Sequence, residues 1–266
     1  MIRRAIAAAF AAVALQGCAE PDVEVDVADP GALEIFGGAV PTTIQHDAVV
    51  AITTFKKPKN NIFCSGTLIA PDVVLTAAHC LDEANGGAAA FNEVEPGDIK
   101  IGFGDSAQVG GLTYVKVSDV EINPGYDRQS LGVDDLGLVR LKADAEVMFG
   151  ILSVPALPLA ELLQDPADIG AEVDFGGFGA NNVGLQYGTK LQVLGNIDSL
   201  AATSMEYTQV VGGPCGGDSG GPAFLDRNGV MYVAGVTSWG SFACQGANAF
   251  GVSMTPDVYE AWIQAF

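Results

Sequence analysis

Residues 212–222 read Gly-Gly-Pro-Cys-Gly-Gly-Asp-Ser-Gly-Gly-Pro, so Ser219 lies among closely spaced glycines with Asp218 just before it. That pattern describes a hydroxyl held on a tight, exposed turn, because glycine accepts positive φ and lets a substrate come close to the main chain. A serine hydroxyl attacks a carbonyl carbon only when a neighbouring base removes its proton. The chain has two histidines, His46 and His79, and an imidazole of unperturbed pKa ~6.5 can accept a proton near neutrality and return it to a leaving group. His79 precedes Cys80 and is the candidate base; His46 belongs to no motif and reads as structural. The same glycine-rich run would also serve as a plain surface loop, so the chemistry depends on the parts around it.

Those parts are legible as strands and turns. Residues 64–80 contain two strand-like runs separated by Pro71-Asp72, a hairpin that would bring Cys64 and Cys80 together as a staple with His79 beside it. The 34 glycines, the 17% of charged residues and the short β-branched runs broken by Gly, Pro and Asn point to an all-β chain. At 266 residues the chain can bury roughly 70–75% of its unfolded surface, enough for one large domain or two small ones. Near the end, Thr255-Pro256-Asp257 reads as a helix start. Val258, Tyr259, Trp262, Ile263 and Phe266 then recur at helical spacing, so the chain closes in a short amphipathic helix packed on the core.

The beginning of the chain reads differently. Residues 1–17 have a basic start, Arg3-Arg4, and an apolar run over 5–15 that is about half the ~20 residues a spanning helix needs, which marks an export signal. It ends in Leu15-Gln16-Gly17-Cys18, which resembles the lipobox of bacterial lipoproteins with Gln16 in place of the usual small residue. That resemblance implies acylation of Cys18 and a lipid anchor in the cell envelope, the alternative being plain secretion. Residues 18–34 are acidic and poor in aromatics, with Pro21, Pro30 and Gly31, and read as a tether or propeptide. Apolar alternation starts at Ile35, the expected boundary of a domain over 35–266. With 12 Lys and Arg against 32 Asp and Glu, the net charge of −20 excludes nucleic acid as a partner.

Thr76-Ala77-Ala78-His79-Cys80 and Gly217-Asp218-Ser219-Gly220-Gly221-Pro222 together resemble the two long motifs of the trypsin/chymotrypsin-like serine peptidases. Val120-Glu121-Ile122-Asn123-Pro124-Gly125-Tyr126, followed by Val133-Asp134-Asp135-Leu136-Gly137-Leu138-Val139-Arg140-Leu141, resembles the segment in which that family's aspartate precedes an alternating apolar strand, and matching it selects Asp135 over Asp134. Residues 155–159 resemble the interdomain crossing, Gly177-Phe178-Gly179 resembles a turn with Phe178 in place of tryptophan, and Ser238-Trp239-Gly240 and Gly251-Val252-Ser253 resemble the two pocket walls. The resemblance implies two six-stranded antiparallel β-barrels, over about 35–150 and 151–255, followed by the C-terminal helix, in a monomer.

It also implies roles. Ser219 would be the nucleophile, His79 the base, Asp135 its orienting carboxylate with Ser238 bonded to it, and the N–H groups of Gly217 and Ser219 the oxyanion hole. Gly213 would be the pocket floor and Ser238, Trp239, Gly240 and Gly251 its walls; no carboxylate among them favours a cation, so cleavage after apolar or aromatic residues is expected. Asp218 would pair with a new α-ammonium on Ile35, freed by an activating protease at Glu34-Ile35, although a basic residue is more usual than Glu34. The family's disulfides map to Cys64–Cys80 and Cys215–Cys244, leaving only Cys18 of the five cysteines. Neither cofactor nor metal is expected. The expected substrates are proteins or peptides; a tethered pseudoprotease or peptide-binding module, and an esterase, remain open.

Overall fold

Six strands of the first half form a closed barrel: β1 (Val49–Thr54), β2 (Asn61–Ala70), β3 (Val73–Thr76), β4 (Ile99–Phe103), β5 (Thr113–Ile122) and β6 (Gly137–Leu141). Their order is β1-β2-β3-β6-β5-β4, and β4 pairs back onto β1 to remove both edges. β1 is β-branched at every position but Ala51, and both β1 and β4 are buried along nearly their whole length. In β5 the apolar residues are Val115, Val117, Val120 and Ile122, which breaks strict alternation. A register shift between Val117 and Asp119 restores the phase by inserting Ser118 as an extra residue, so all four side chains are buried. Ser118 Oγ then donates to the carbonyls of Arg140 and Leu141 at 3.0 and 3.2 Å.

The computed structural model describes residues 35, 37–54, 61–83, 92–109, 111–129, 133–158, 161, 163, 166–180, 187–209, 212–240, 244, 248–253 and 260–266. The expected signal, lipobox with Cys18, and tether lie outside them, as does the Thr255-Pro256-Asp257 helix start.

The second half contains β7 (Glu172–Gly177), β8 (Leu191–Asn196), β9 (Ser199–Leu200), β10 (Ser204–Gln209), β11 (Pro222–Arg227), β12 (Val230–Gly240) and β13 (Asn248–Ser253). They form a seven-stranded sheet in the order β8-β7-β11-β12-β13-β10-β9. The architecture is all-β as expected; the seventh strand is the two-residue β9, an edge addition to six longer ones. Phe175 stacks on Tyr207 at 4.4 Å between ring centroids, at the centre of this half's core. Phe178 is fully buried and packs with the first half's core.

Two helices of regular α geometry complete the described residues. The short α1 (Ala145–Phe149) was not legible from periodicity, but its ends are: Asp144 caps it by accepting the Val147 N–H, and Gly150 at φ 66° stops it. The expected C-terminal helix is α2 (Glu260–Ala265). Trp262, Ile263 and Phe266 pack against the first core, and Trp262 Nε1 donates to Glu121 at 2.6 Å.

The halves are joined by main-chain bonds rather than by side chains alone. The crossing segment bonds to β2 through Val154 N–H to the Leu68 carbonyl at 2.9 Å, and to β12 through Val233, which donates to Pro155 and accepts from Leu157. Both disulfides implied by the resemblance are formed, Cys64 with Cys80 and Cys215 with Cys244. The first closes a sequence separation of 16 residues, which removes about 3 kcal/mol of unfolded-chain freedom.

The tightest approach is at Gly220. Its φ is +83°, and a Cβ there would overlap both the Thr76 hydroxyl and the Ser65 carbonyl oxygen. Gly220→Ala therefore combines backbone strain with overpacking, and a loss of about 2–4 kcal/mol is expected. Denaturant unfolding of the variant checks this; a midpoint equal to wild type would show that the loop does not press on β2 and β3 as described.

Candidate active site

His79 sits in a single 3-10 turn, Ala78–Cys80, directly after β3. The Cys64–Cys80 bridge anchors that turn to β2. The side chain is 34% exposed, whereas Asp135 behind it is almost fully buried. A carboxylate buried in this way needs donors, and three converge on it. His79 gives its main-chain N–H to Oδ1 at 2.9 Å and its Nδ1 to Oδ2 at 2.8 Å, and Ser238 Oγ gives a third bond to Oδ2 at 2.5 Å. Because an ionised carboxylate only accepts, the imidazole proton must lie on Nδ1, which leaves the Nε2 lone pair available as a base.

Ser238 reaches Asp135 because β12 carries a register shift between Thr237 and Trp239. An extra residue in one strand turns its side chain away from the regular pleat. The chain just after Asp135 is anchored as well: Asn123 accepts from Gly125 through its side chain and donates its N–H to the Leu136 carbonyl at 2.9 Å. The neighbouring Asp134 has positive φ, 54°, and its carboxylate lies against Gly125, where a Cβ would overlap it.

Burial alone would lower the His79 pKa, but the Asp135 charge and hydrogen bond, with a smaller contribution from Asp82, outweigh it and raise the pKa above 6.5. Asp135 is the mirror case: burial pushes it up, but His79 and the Ser238 hydroxyl pull it below its usual value of 3.8. Asp82 is itself paired with the Arg128 guanidinium. Tyr126 nearby is pushed up to about 12 by burial and by the charges of Asp135 and Asp82, and so remains a neutral phenol. No sequence motif marked Asp82 or Arg128, because their association crosses the hairpins, and Tyr126 stood in the 120–126 run with no role assigned.

Ser219 is half-buried in the turn after Gly217. Its carbonyl accepts the Ser65 N–H at 2.8 Å and lies 3.6 Å from Cys80 Sγ, which sets its main chain against the staple beside His79. Cys64, His79 and Cys80 have donor atoms within 4.8 Å of one another, but both sulfurs are consumed by the disulfide. Gly217 has φ +96°, and Tyr187 lies so near that a Cβ on Gly217 would come 2.8 Å from its ring. Among the described residues the N–H groups of Gly217 and Ser219 meet no protein acceptor, while both carbonyls do. That is the polarity an anion-binding pair of donors requires.

Asp218 is fully buried, and its carboxylate accepts Gly179 N–H at 2.7 Å and Cys215 N–H at 2.8 Å. Gly177 and Gly179 allow that approach, since a Cβ on either would overlap the carboxylate. Ile35 is also fully buried, at φ 51°. In the intact chain its nitrogen is an amide bonded to Glu34, so the α-ammonium expected to face Asp218 exists only after cleavage.

The expected pocket residues are less uniform. Ser238 and Trp239 are half-buried, Gly240 is exposed, and strand register places Gly251 opposite Trp239. Gly213 is buried, and a Cβ there would come 2.6 Å from the Tyr207 hydroxyl and 2.7 Å from the Gln209 amide carbon. Glycine at 213 thus serves a close approach by two polar side chains. Gln209 in turn donates to the Cys244 carbonyl at 2.7 Å.

A family model described as Trypsin matches residues 35–263. The chain is 28% identical over 247 residues to trypsin of Phaedon cochleariae, covering 87% of each chain. It is 28% identical over 220 residues to brachyurin of Leptuca pugilator, covering 79% of this chain and 88% of that one. Against vitamin K-dependent protein C of Rattus norvegicus it is 26% identical over 230 residues, covering 78% of this chain and 47% of the relative. The chain spans about half the length of the protein C relatives of rat and mouse.

The His79–Asp135 geometry has a direct titration signature. The raised His79 contributes stability below its unfolded value of 6.5 and loses it as pH rises through the folded value. The lowered Asp135 contributes above 3.8 and loses it as pH falls. Imidazole NMR should give His79 a midpoint above 6.5 in wild type. In Asp135→Asn burial acts unopposed by that charge, so the midpoint should drop; an unmoved midpoint would mean that Asp135 does not face the ring.

Proposed function

The chain belongs to the trypsin family of serine proteases, and on that premise we propose that it is an exported serine endopeptidase using Ser219, His79 and Asp135. The observation that carries this reading is the bond from Nδ1 of His79 to Asp135 at 2.8 Å, with Ser238 behind it. It leaves the base's free lone pair on the side of the imidazole away from the buried carboxylate. Ser219 Oγ attacks the scissile carbonyl carbon while His79 Nε2 takes its proton. The N–H groups of Gly217 and Ser219 receive the developing oxyanion, and each such donor is typically worth ~10²–10³ in turnover.

On collapse His79 returns the proton to the leaving amine, and the acyl group remains as an ester on Ser219. Water, deprotonated by the same imidazole, then attacks the ester and releases the acid and the free serine. Asp135 keeps the tautomer and stabilises the imidazolium, an effect of ~10⁴ in related enzymes.

Specificity follows from Gly213, Gly240 and Gly251: none offers a carboxylate to a buried cation, so cleavage after uncharged apolar or aromatic residues is favoured, with Tyr207 and Gln209 setting the pocket's depth. Maturation cuts Glu34-Ile35, and the new Ile35 ammonium joins Asp218. Two disulfides require an oxidising compartment, in line with the export signal over 1–17. Cys18 carries the lipid that ties residues 18–34 to an envelope membrane, and with them the monomeric peptidase domain until the cut at Glu34-Ile35 releases it; protein or peptide substrates, not nucleic acid, are its partners.

A serine-directed aryl phosphonate should label purified wild type and leave Ser219→Ala unlabelled. Wild type that stays unlabelled after removal of residues 1–34 would favour a non-catalytic binding module. Mass spectrometry of the exported protein should find an acylated fragment beginning at Cys18 and an active form beginning at Ile35. An active form with another start would defeat the Ile35–Asp218 pairing.

A further inference from the structure

Ser65 lies in β2, in the half of the molecule opposite the nucleophile loop, and is fully buried. Its hydroxyl accepts the Phe178 N–H at 2.9 Å and donates to the Gly217 carbonyl at 3.0 Å. Its own N–H donates to the Ser219 carbonyl at 2.8 Å, and its carbonyl accepts from Thr76 Oγ1 at 2.8 Å. All of its polar atoms are therefore engaged, and two of the four bonds end on Gly217 and Ser219. Because the Phe178 N–H occupies one lone pair, the Ser65 proton is directed to Gly217. A hydroxyl with one fixed donor and one fixed acceptor cannot rotate without losing both.

We propose that Ser65 is a positioning residue for the oxyanion hole: by holding the carbonyls of Gly217 and Ser219 it fixes the 217–218 and 219–220 peptide planes, which adjoin the planes carrying the Gly217 and Ser219 N–H groups, and so keeps those N–H groups facing the cleft. The proposal rests on the reading of Ser219 as nucleophile. Gly217 has φ +96° and no side chain to restrain the peptide planes on either side; the plane before it is held by the Ala180 N–H on the Gly216 carbonyl at 2.7 Å, and the plane after it by the Asp218 N–H on the Cys215 carbonyl at 3.0 Å. The Ser65 hydroxyl fixes one of those planes at its oxygen. The Ser65 N–H fixes the plane that follows Ser219. A donor displaced by a fraction of an ångström meets the oxyanion late, and that is felt in the transition state and little in substrate binding.

The test compares wild type, Ser65→Ala and Ser65→Cys on one peptide anilide, with active sites counted by the serine-directed phosphonate and rates measured well below each variant's melting temperature. Ser65→Ala should lower kcat by about 10–100-fold, with KM changed by no more than about twofold. Affinity for a peptidyl boronate, whose adduct on serine is tetrahedral, should weaken by the same factor as kcat/KM, while affinity for the acid product peptide should hold. Ser65→Cys should fall between, since a thiol fills the space but is a weak donor and acceptor; it carries the comparison alone if the alanine variant does not fold. Unchanged kcat, or equal losses for boronate and product peptide, would overturn the proposal in favour of a packing role. Wild type that neither labels nor hydrolyses would defeat the functional reading as well, whereas an active wild type matched by Ser65→Ala defeats only this one.

Discussion

A carboxylate buried as deeply as Asp135 is tolerated only if its charge is met from several directions, because the penalty for removing it from water is several kcal/mol. Here the donors come from two separate stretches, the turn after β3 and the shifted register of β12, and they meet a carboxylate carried by a third, the loop before β6. Satisfying one oxygen pair therefore specifies how the barrel and the second sheet meet along this line. The staple at Cys80, the Asn123 turn and the extra residue at Ser238 can each be understood as conditions for that meeting.

A second buried carboxylate, Asp218, repeats the logic with main-chain donors instead of an imidazole. Its demands explain why glycine occurs at 177 and 179, where any side chain would displace it. In a chain of net charge −20 most acids stay in water. The few drawn inward are paired or hydrogen-bonded, as with Asp82 to Arg128 and Asp168 to Arg227. Acidity as a whole belongs to solubility, while these particular carboxylates belong to the architecture.

The glycine-rich loop around Ser219 is pressed onto β2 and β3 at Gly220 and bonded to Ser65 on both sides of Asp218. The loop belongs to one half and its restraint to the other. A main-chain segment in positive-φ turns has little stiffness of its own, so rigidity must be supplied by what it packs on. A strand inside a closed barrel is among the stiffest supports available, since its hydrogen bonds are met on both edges.

Ser219, His79 and the Cys64–Cys80 staple could be picked out from the linear chain because each sits in a run whose composition is itself unusual, glycines or small residues beside a cysteine, whereas the Cys215–Cys244 pair and the role of Asp218 came only with the family resemblance. The all-β class and the C-terminal helix were legible for the same reason, since period and turn residues are local properties. Asp135 required a match to a known pattern, as one acid among 32 carries no signal of its own. Ser65, the Asp82–Arg128 pair, Tyr187 over Gly217, and Tyr207 with Gln209 behind Gly213 were not legible at all. Except for Tyr207 and Gln209, which lie a few positions from Gly213, these contacts join residues tens to more than a hundred positions apart, and ordinary residue types in ordinary strands acquire meaning only when register and bulges aim them. Sequence alone determined which groups this chain offers for acyl-transfer chemistry; tertiary structure decided which carbonyls, planes and pocket walls are held still around them, because orientation is set by packing across the two halves and not by neighbours along the chain.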